Sequence, residues 1–126
     1  MPLISVTRRY HAECAHFLPE VHEGHKCKRM HGHNYVFEIT VSRGVPTYQG
    51  FVIDFWDLDK IVQPIIDKID HRVLNDIMGL HNPTAENIAQ WLLEEVSGDR
   101  NLDGSLTIQQ VRVFETPDCW ATIIPD

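Results

Sequence analysis

Histidine is concentrated in one part of this 126-residue chain, with six of the eight histidines between residues 11 and 33. Two of them, His31 and His33, are separated by one glycine at the start of an alternating apolar run. Side chains two positions apart on a β-strand leave the same face, roughly 6 to 7 Å apart along the strand. Both imidazoles could therefore converge on one metal ion, for which neutral histidine is a common ligand.

A third ligand must come from another segment. His16 is the first candidate because it ends the segment 12–17, which should lie beside the strand that carries the pair. His22 and His25 are rival third ligands, and His11 is a weaker one. Three histidines without a fourth protein ligand leave zinc an open position, as in catalytic rather than structural zinc sites. Spacing alone leaves the choice of the third ligand open.

Cys27 lies four residues before His31, within a basic run. The cations of that run are Lys26, Lys28 and Arg29. Neighbouring positive charge favours a thiolate, so Cys27 is a candidate base or nucleophile. The alternative is an inert cysteine in a solvated loop. The net charge of −7 argues against nucleic-acid binding by this cluster.

Two further candidates for chemistry follow predicted elements. The dipeptide Asp70-His71 follows a predicted helix, whose negative end would favour a protonated imidazole while the carboxylate could fix its tautomer. Such a histidine suits general acid catalysis. Glu115 ends an apolar run, where a carboxylate can accept two parallel N–H bonds from a planar, guanidine-like ligand. Each of these residues could instead be an ordinary solvent-facing one.

The strands that must position these residues follow from apolar alternation. Residues 34–41 alternate and predict a strand that extends back to residue 31. Residues 4–10 are a weaker strand candidate that should pair with it. Residues 106–115 and 120–124 predict two more strands, joined by a turn.

Two helices are predicted between these strands. Asp54 is a candidate N-cap for a helix whose apolar positions continue to Ile69, with Pro64 inside it as a source of a kink. Asn82 or Thr84 caps a second helix. The order of strands, two helices and strands predicts an α+β fold with an antiparallel sheet.

Length and composition fit one domain over residues 1–126, with 43% hydrophobic and 23% charged residues. No apolar run approaches the roughly 18 to 20 residues of a membrane helix. The N-terminus does not show the charged segment followed by an apolar segment that is typical of a secretory signal. The three cysteines form no Cys-x-x-Cys pair, which disfavours a disulfide framework. We therefore expect a cytoplasmic protein with no membrane partner.

The motifs together resemble the 6-pyruvoyltetrahydropterin synthase family, from His16 to Glu115 and in family order. They are His16, Cys27-Lys-Arg-Met-His31-Gly-His33-Asn-Tyr35, Asp70-His71, Pro83-Thr84-Ala85-Glu86-Asn87 and Glu115. The phrase Glu23-Gly-His-Lys-Cys27, with its four-residue step to His31, looks like the bacterial queuosine-pathway branch that makes 6-carboxytetrahydropterin.

This resemblance implies a tunnelling fold, in which a four-stranded antiparallel sheet carries two helices on one face and assembles into a trimeric barrel. Two trimers would stack as a homohexamer, with active sites between subunits. Cys27 would abstract a proton, Asp70 and His71 would return one, Glu115 would bind the pterin ring, and Thr84 would contact it. The zinc ligands it implies are His16, His31 and His33.

The implied substrate is 7,8-dihydroneopterin triphosphate, and the implied products are 6-carboxytetrahydropterin, acetaldehyde and triphosphate. The cations beside Cys27 are candidates for binding the triphosphate. A 6-pyruvoyl-type synthase and a folate-pathway enzyme that cleaves the side chain differently are alternatives. The step from Cys27 to His31, with no glutamate between them, argues against both. A non-catalytic pterin- or zinc-binding module is disfavoured because structural zinc usually has four protein ligands.

Overall fold

A four-stranded antiparallel sheet, in the order β1-β2-β3-β4, forms the framework of the computed structural model, which describes residues 2–77 and 79–126. The strands are β1 (Ser5–His16), β2 (His31–Arg43), β3 (Leu106–Thr116) and β4 (Cys119–Ile123). Helices α1 (Phe55–Asp67) and α2 (Ala85–Ser97) lie between β2 and β3 in the chain. The predicted α+β class, with four antiparallel strands and two helices, is confirmed.

Both helices pack against one face of the sheet. Tyr10, Phe37 and Val113 lie side by side in the strand register, and all three are buried in the same core as the helices. The helices contribute apolar residues spaced three and four apart, which place one stripe of each helix on the sheet. These residues are Leu58, Ile61, Val62, Ile65 and Ile66 of α1, and Ile88, Ala89, Leu92 and Val96 of α2.

The helices begin at the predicted caps. The Trp56 N–H donates to the Asp54 carboxylate at 2.9 Å, and the Asn87 N–H donates to the Thr84 hydroxyl at 3.1 Å. Each contact satisfies one amide that the first helical turn leaves without a partner. Pro64 lies inside α1 on its exposed side, where water can replace the missing backbone bond.

The first strand is longer than the predicted segment 4–10. It begins at Ser5 and continues to His16. In its register with β2, His16 lies opposite His31 and Cys14 lies opposite His33. A short segment after α1 adds to the outer edge of this end of β1, where the Ala15 N–H donates to the Arg72 carbonyl at 3.0 Å. The sheet thus gathers the predicted histidine ligands at one end.

The other face of the sheet is polar. Thr7 and Thr40 hydroxyls lie 2.7 Å apart, and Arg9 donates to Glu38 at 2.6 Å across the same strand pair. Such alternation of an apolar and a polar face is typical of antiparallel sheets. Among the described residues, no helix is long and apolar enough to cross a bilayer.

Candidate functional site

Three histidines meet at the end of the β1–β2 pair. One ring nitrogen from each of His16, His31 and His33 lies within 4.8 Å of the others, and the ring centroids are 4.5 to 5.1 Å apart. The strand register causes this meeting, because His16 faces His31 across the ladder and His33 follows two residues later on the same face. These three side chains could hold a metal ion.

Backbone carbonyls fix the tautomers of two of the three imidazoles. His16 Nδ1 donates to the Pro83 carbonyl at 2.8 Å, and His31 Nδ1 donates to the Arg29 carbonyl at 2.7 Å. A neutral imidazole has one N–H, so Nε2 of each ring keeps its lone pair. Such outer contacts commonly orient histidine ligands of metals.

Burial favours the neutral form of two of the three imidazoles. Desolvation lowers the pKa of His16, which is completely buried, and it also lowers the pKa of His33. The nearby Glu115 charge opposes the shift in both cases. His33 Nε2 is buried without a hydrogen-bond partner, and Glu115 Oε2 lies 3.5 Å from it. Neutral, desolvated imidazoles with an unsatisfied nitrogen fit a metal cation, which would supply the missing partner.

The rival ligands lie elsewhere. The rings of His22 and His25 contact each other, with centroids 5.4 Å apart, and His25 Nδ1 accepts the Cys27 N–H at 3.0 Å. His11 is exposed, and on β1 it has the opposite parity to His16. Of the histidines in the described chain, the structure gathers His16 with the predicted pair and excludes these three from the group that could hold a metal.

Cys27 is a half-buried free thiol in a short 3-10 turn. Its amide donates to His25, and its carbonyl accepts the Leu18 N–H at 2.8 Å, so both of its backbone groups are held. Of the neighbouring cations, Lys28 is paired with Glu23 at 2.8 Å and also donates to a backbone carbonyl. Lys26 and Arg29 are exposed, which leaves them better placed than Lys28 to bind an anion.

Asp70 and His71 form a second histidine site on the outer edge of β1. The Glu13 N–H donates to Asp70 Oδ1 at 2.9 Å, the His71 N–H donates to the Glu13 carbonyl at 2.6 Å, and His71 Nδ1 lies 3.0 Å from Asp70 Oδ2. The Glu13 amide and then the His71 side chain hold the pKa of Asp70 below its usual range. Glu13 Oε2 lies 3.5 Å from His71 Nε2, so carboxylates face both ring nitrogens.

The backbone of His71 has a left-handed conformation, with φ of 59°. This region is unfavourable for a residue with a Cβ and persists only where the surroundings impose it. Here the contacts of His71 and Asp70 with Glu13 impose it, and the side chain remains 73% exposed. His71 and His33 line the same open cavity of about 530 Å³, so the acid candidate and the metal candidates share one surface.

Of the two predicted pterin-binding residues, only Glu115 contacts the histidine cluster directly. Glu115 contacts His33 and also lines a cavity of about 410 Å³ beside the start of α2. Thr84 uses its hydroxyl to cap α2, and it directly follows Pro83, whose carbonyl fixes His16. The structure therefore brings Glu115 to His33, a candidate metal ligand, and places Thr84 one residue after the hydrogen-bond partner of His16.

Tyr35 is buried beside His16, a placement that was not predicted from the sequence. This residue is 1% exposed, and its hydroxyl lies 3.2 Å from Nδ1 and 3.3 Å from Nε2 of His16. Burial, followed by the charge of Glu115, raises the pKa of Tyr35, so the hydroxyl keeps its proton. The available signal was parity, because Tyr35 lies on the same face of β2 as His31 and His33.

Comparison with known proteins gives consistent matches. A family model described as 6-pyruvoyl tetrahydropterin synthase matches residues 5–126. A Synechocystis sp. protein named 6-carboxy-5,6,7,8-tetrahydropterin synthase is 34% identical over 116 residues, covering 88% of this chain and 85% of the relative. A dihydroneopterin monophosphate aldolase of Pyrococcus furiosus is 36% identical over 88 residues, covering 70% and 72%. The Caenorhabditis elegans 6-pyruvoyl tetrahydropterin synthase structure matches with a TM-score of 0.88 and 26% identity, covering 100% of this chain and 98% of that one.

Proposed function

The chain belongs to the 6-pyruvoyl tetrahydropterin synthase family, and we propose that it is a zinc-dependent 6-carboxy-5,6,7,8-tetrahydropterin synthase. With one water as co-reactant, it would convert 7,8-dihydroneopterin triphosphate to 6-carboxytetrahydropterin, acetaldehyde and triphosphate. The observation that carries the proposal is the 3.5 Å contact between His33 and Glu115. It brings a carboxylate suited to the guanidine-like edge of a pterin next to three candidate metal ligands.

Each group has one task in this proposal. Zinc, held by His16, His31 and His33, would supply Lewis acidity to oxygens of the substrate side chain and so acidify a neighbouring C–H. Cys27 takes that proton as its thiolate, from a turn that His25 holds in place. Glu115 binds the ring, with Thr84 beside it.

Proton return is assigned to the second histidine site. The Asp70 carboxylate fixes the tautomer and orientation of His71 through Nδ1, which leaves Nε2 to exchange a proton with the substrate. The exposure of the His71 imidazole supports a task toward a group outside this chain. In the proposed assembly, that group lies at an active site shared with a neighbouring copy.

The assembly we propose is a homohexamer of two stacked trimers. The edge strands β1 and β4 of neighbouring copies would pair to close a barrel, since pairing satisfies the backbone groups that an edge strand exposes. The polar face with Arg9 and Glu38 would line the barrel interior. We assign the enzyme to the cytoplasm and to queuosine biosynthesis.

The deciding experiment offers zinc-loaded protein 7,8-dihydroneopterin triphosphate, with and without a chelator, and identifies products by mass spectrometry. We expect 6-carboxytetrahydropterin and acetaldehyde, and loss of both with the chelator. Accumulation of a 6-pyruvoyl pterin would assign the alternative synthase activity instead. Absence of turnover with full zinc occupancy would favour the non-catalytic pterin- or zinc-binding module.

Aldol cleavage of dihydroneopterin monophosphate is the second candidate function, favoured by the similarity to the Pyrococcus furiosus aldolase. The same assay with the monophosphate separates the two activities. Release of a 6-hydroxymethyl pterin from the monophosphate, with no 6-carboxytetrahydropterin from the triphosphate, would replace our proposal with this one.

A further inference from the structure

His25, a histidine outside the candidate metal site, begins the turn that carries the proposed base. It is the N-cap of the 3-10 turn Lys26–Lys28, and its Nδ1 accepts the Cys27 N–H at 3.0 Å. Such a cap satisfies an amide that the first turn of a helix leaves without a partner. An accepting nitrogen carries no proton, so the neutral ring has its proton on Nε2. Nδ1 of His25 is therefore used as a cap and is not free to bind a metal ion.

The capping imidazole is itself held in place by its neighbours. The His25 N–H donates to the His22 carbonyl at 3.0 Å, and the Lys28 N–H donates to the His25 carbonyl at 3.1 Å. The ring of His25 also packs edge-on against the ring of His22, with centroids 5.4 Å apart and planes at 72°. Both the backbone and the ring of His25 are thus fixed, which keeps Nδ1 directed at the Cys27 amide.

The other end of the same turn reaches the candidate metal site. The Arg29 N–H donates to the Lys26 carbonyl at 3.2 Å and closes the turn. The Arg29 carbonyl accepts from Nδ1 of His31 at 2.7 Å and so orients that candidate ligand. One short segment therefore begins at a capping histidine, contains the thiol of Cys27 and ends at the carbonyl that fixes His31.

We propose that His25 is a positioning residue for both Cys27 and His31, and that it acts on them through the turn that it caps. This inference rests on the proposed function, in which Cys27 is the base and His31 a metal ligand. A turn this short has few hydrogen bonds of its own, so one capping bond is a large share of what holds it closed. Without the cap the turn opens more often, which displaces the thiol and the Arg29 carbonyl together.

Two substitutions of similar shape isolate the capping bond. Asparagine places an oxygen, and leucine a methyl group, as many bonds from the backbone as Nδ1 of histidine. His25→Asn therefore keeps an acceptor of a type that is favoured at N-caps, whereas His25→Leu has none. We expect turnover of His25→Leu to fall about tenfold and its zinc Kd to rise about fivefold. His25→Asn should stay within about twofold of wild type in both measurements.

The deciding measurement is the rate at which iodoacetamide alkylates Cys27 in the metal-free protein, read by peptide mass spectrometry so that Cys14 and Cys119 are scored separately. Cys27 is half-buried, so opening of the turn exposes its thiol. We expect alkylation about fivefold faster in His25→Leu than in wild type, and near the wild-type rate in His25→Asn. His25→Ala, which also lacks the acceptor, should match His25→Leu.

Melting temperatures check that all three variants fold, and competition with a chelating indicator gives the zinc Kd. Equal alkylation rates in His25→Asn and His25→Leu would overturn the inference, because the two variants differ in the capping acceptor. An unchanged zinc Kd in His25→Leu would overturn the part that concerns His31. Absence of turnover in the zinc-loaded wild type would refute the proposed function instead, while the alkylation rates would still decide whether His25 positions Cys27.

Discussion

Two histidine sites lie on opposite edges of one strand end, and they differ in almost every physical property. The triad of His16, His31 and His33 faces the core, where desolvation lowers the pKa of His16 and His33. His71 is mostly exposed, and carboxylates face both of its nitrogens. Burial thus favours the neutral forms of His16 and His33, whose lone pairs can bind a cation, while two carboxylates orient the exposed imidazole of His71.

The two histidine sites also differ in backbone conformation. The triad uses regular β-structure, in which register and parity alone bring three rings together. His71 depends on a left-handed residue that is held by specific bonds to Glu13. We infer that the candidate metal site tolerates neighbouring sequence changes as long as the pairing of β1 with β2 is kept, whereas the His71 site depends on a few contacts.

Loss of a triad member should have the largest effect. His31→Ala removes one of three ligands, so we expect loss of bound zinc and a fall in turnover of about a thousandfold or more. Zinc content by atomic absorption and the product assay measure both. His22→Ala is the control, because His22 is exposed and contacts His25 rather than the triad. Loss of zinc from His22→Ala would mean that the third ligand has been misassigned.

Replacement of the proposed base should separate chemistry from metal binding. In Cys27→Ala we expect turnover to fall by about 10² to 10⁴-fold, which is typical for removal of a general base, while zinc content stays at the wild-type level. Cys119→Ala, which removes an exposed thiol in β4, should retain full activity. Full turnover in Cys27→Ala would refute the assignment of this thiol as the base.

The smallest expected effect concerns the exposed site and its pH dependence. Hydrogen bonds lower the pKa of Asp70 in the folded state, so its contribution to the free energy of unfolding is present above the unfolded value of about 3.9. That contribution disappears as the pH falls through the folded value. Asp70→Asn should therefore be less stable than wild type at pH 7, with a difference that shrinks in strong acid.

Urea denaturation at pH 7 and at pH values below 4 measures this difference. Asp118→Asn, at an exposed turn, serves as the control and should be about as stable as wild type at pH 7, as is usual for surface substitutions. We also expect Asp70→Asn to keep its zinc, since Asp70 contacts Glu13 and His71 rather than the triad. Loss of zinc from this variant would show that the two histidine sites are not independent.

Much of the fold followed from the sequence because its signals are local. Alternation identified β2, and the caps at Asp54 and Thr84 set the starts of both helices. The end of β1 was harder to predict, because residues 11–16 combine small, polar and charged types whose strand conformation depends on pairing with β2. Tertiary pairing, rather than propensity, extends that strand to His16.

The site was predictable where spacing or resemblance carried it and unpredictable where it depends on contacts distant in sequence. The pair His31 and His33 followed from parity, and the choice of His16 required the family resemblance. The contact of Glu13 with His71 joins residues 58 positions apart and leaves no local signal. The contact between His25 and Cys27 is local, but an imidazole that caps a 3-10 turn has no distinctive sequence pattern.

The segment that carries His71 also limits how copies of this chain can join. Val73 forms a parallel bridge with Ala15. The outward-facing hydrogen-bonding groups at the C-terminal end of β1 are therefore already bonded within the same chain. Among the described residues, no strand covers the outer edge of β1 over 5–12. A strand of five residues, the length of β4, fits within that span. In the proposed assembly, the segment 71–73 would therefore limit how far a strand from a neighbouring copy could extend along β1 toward the histidine site.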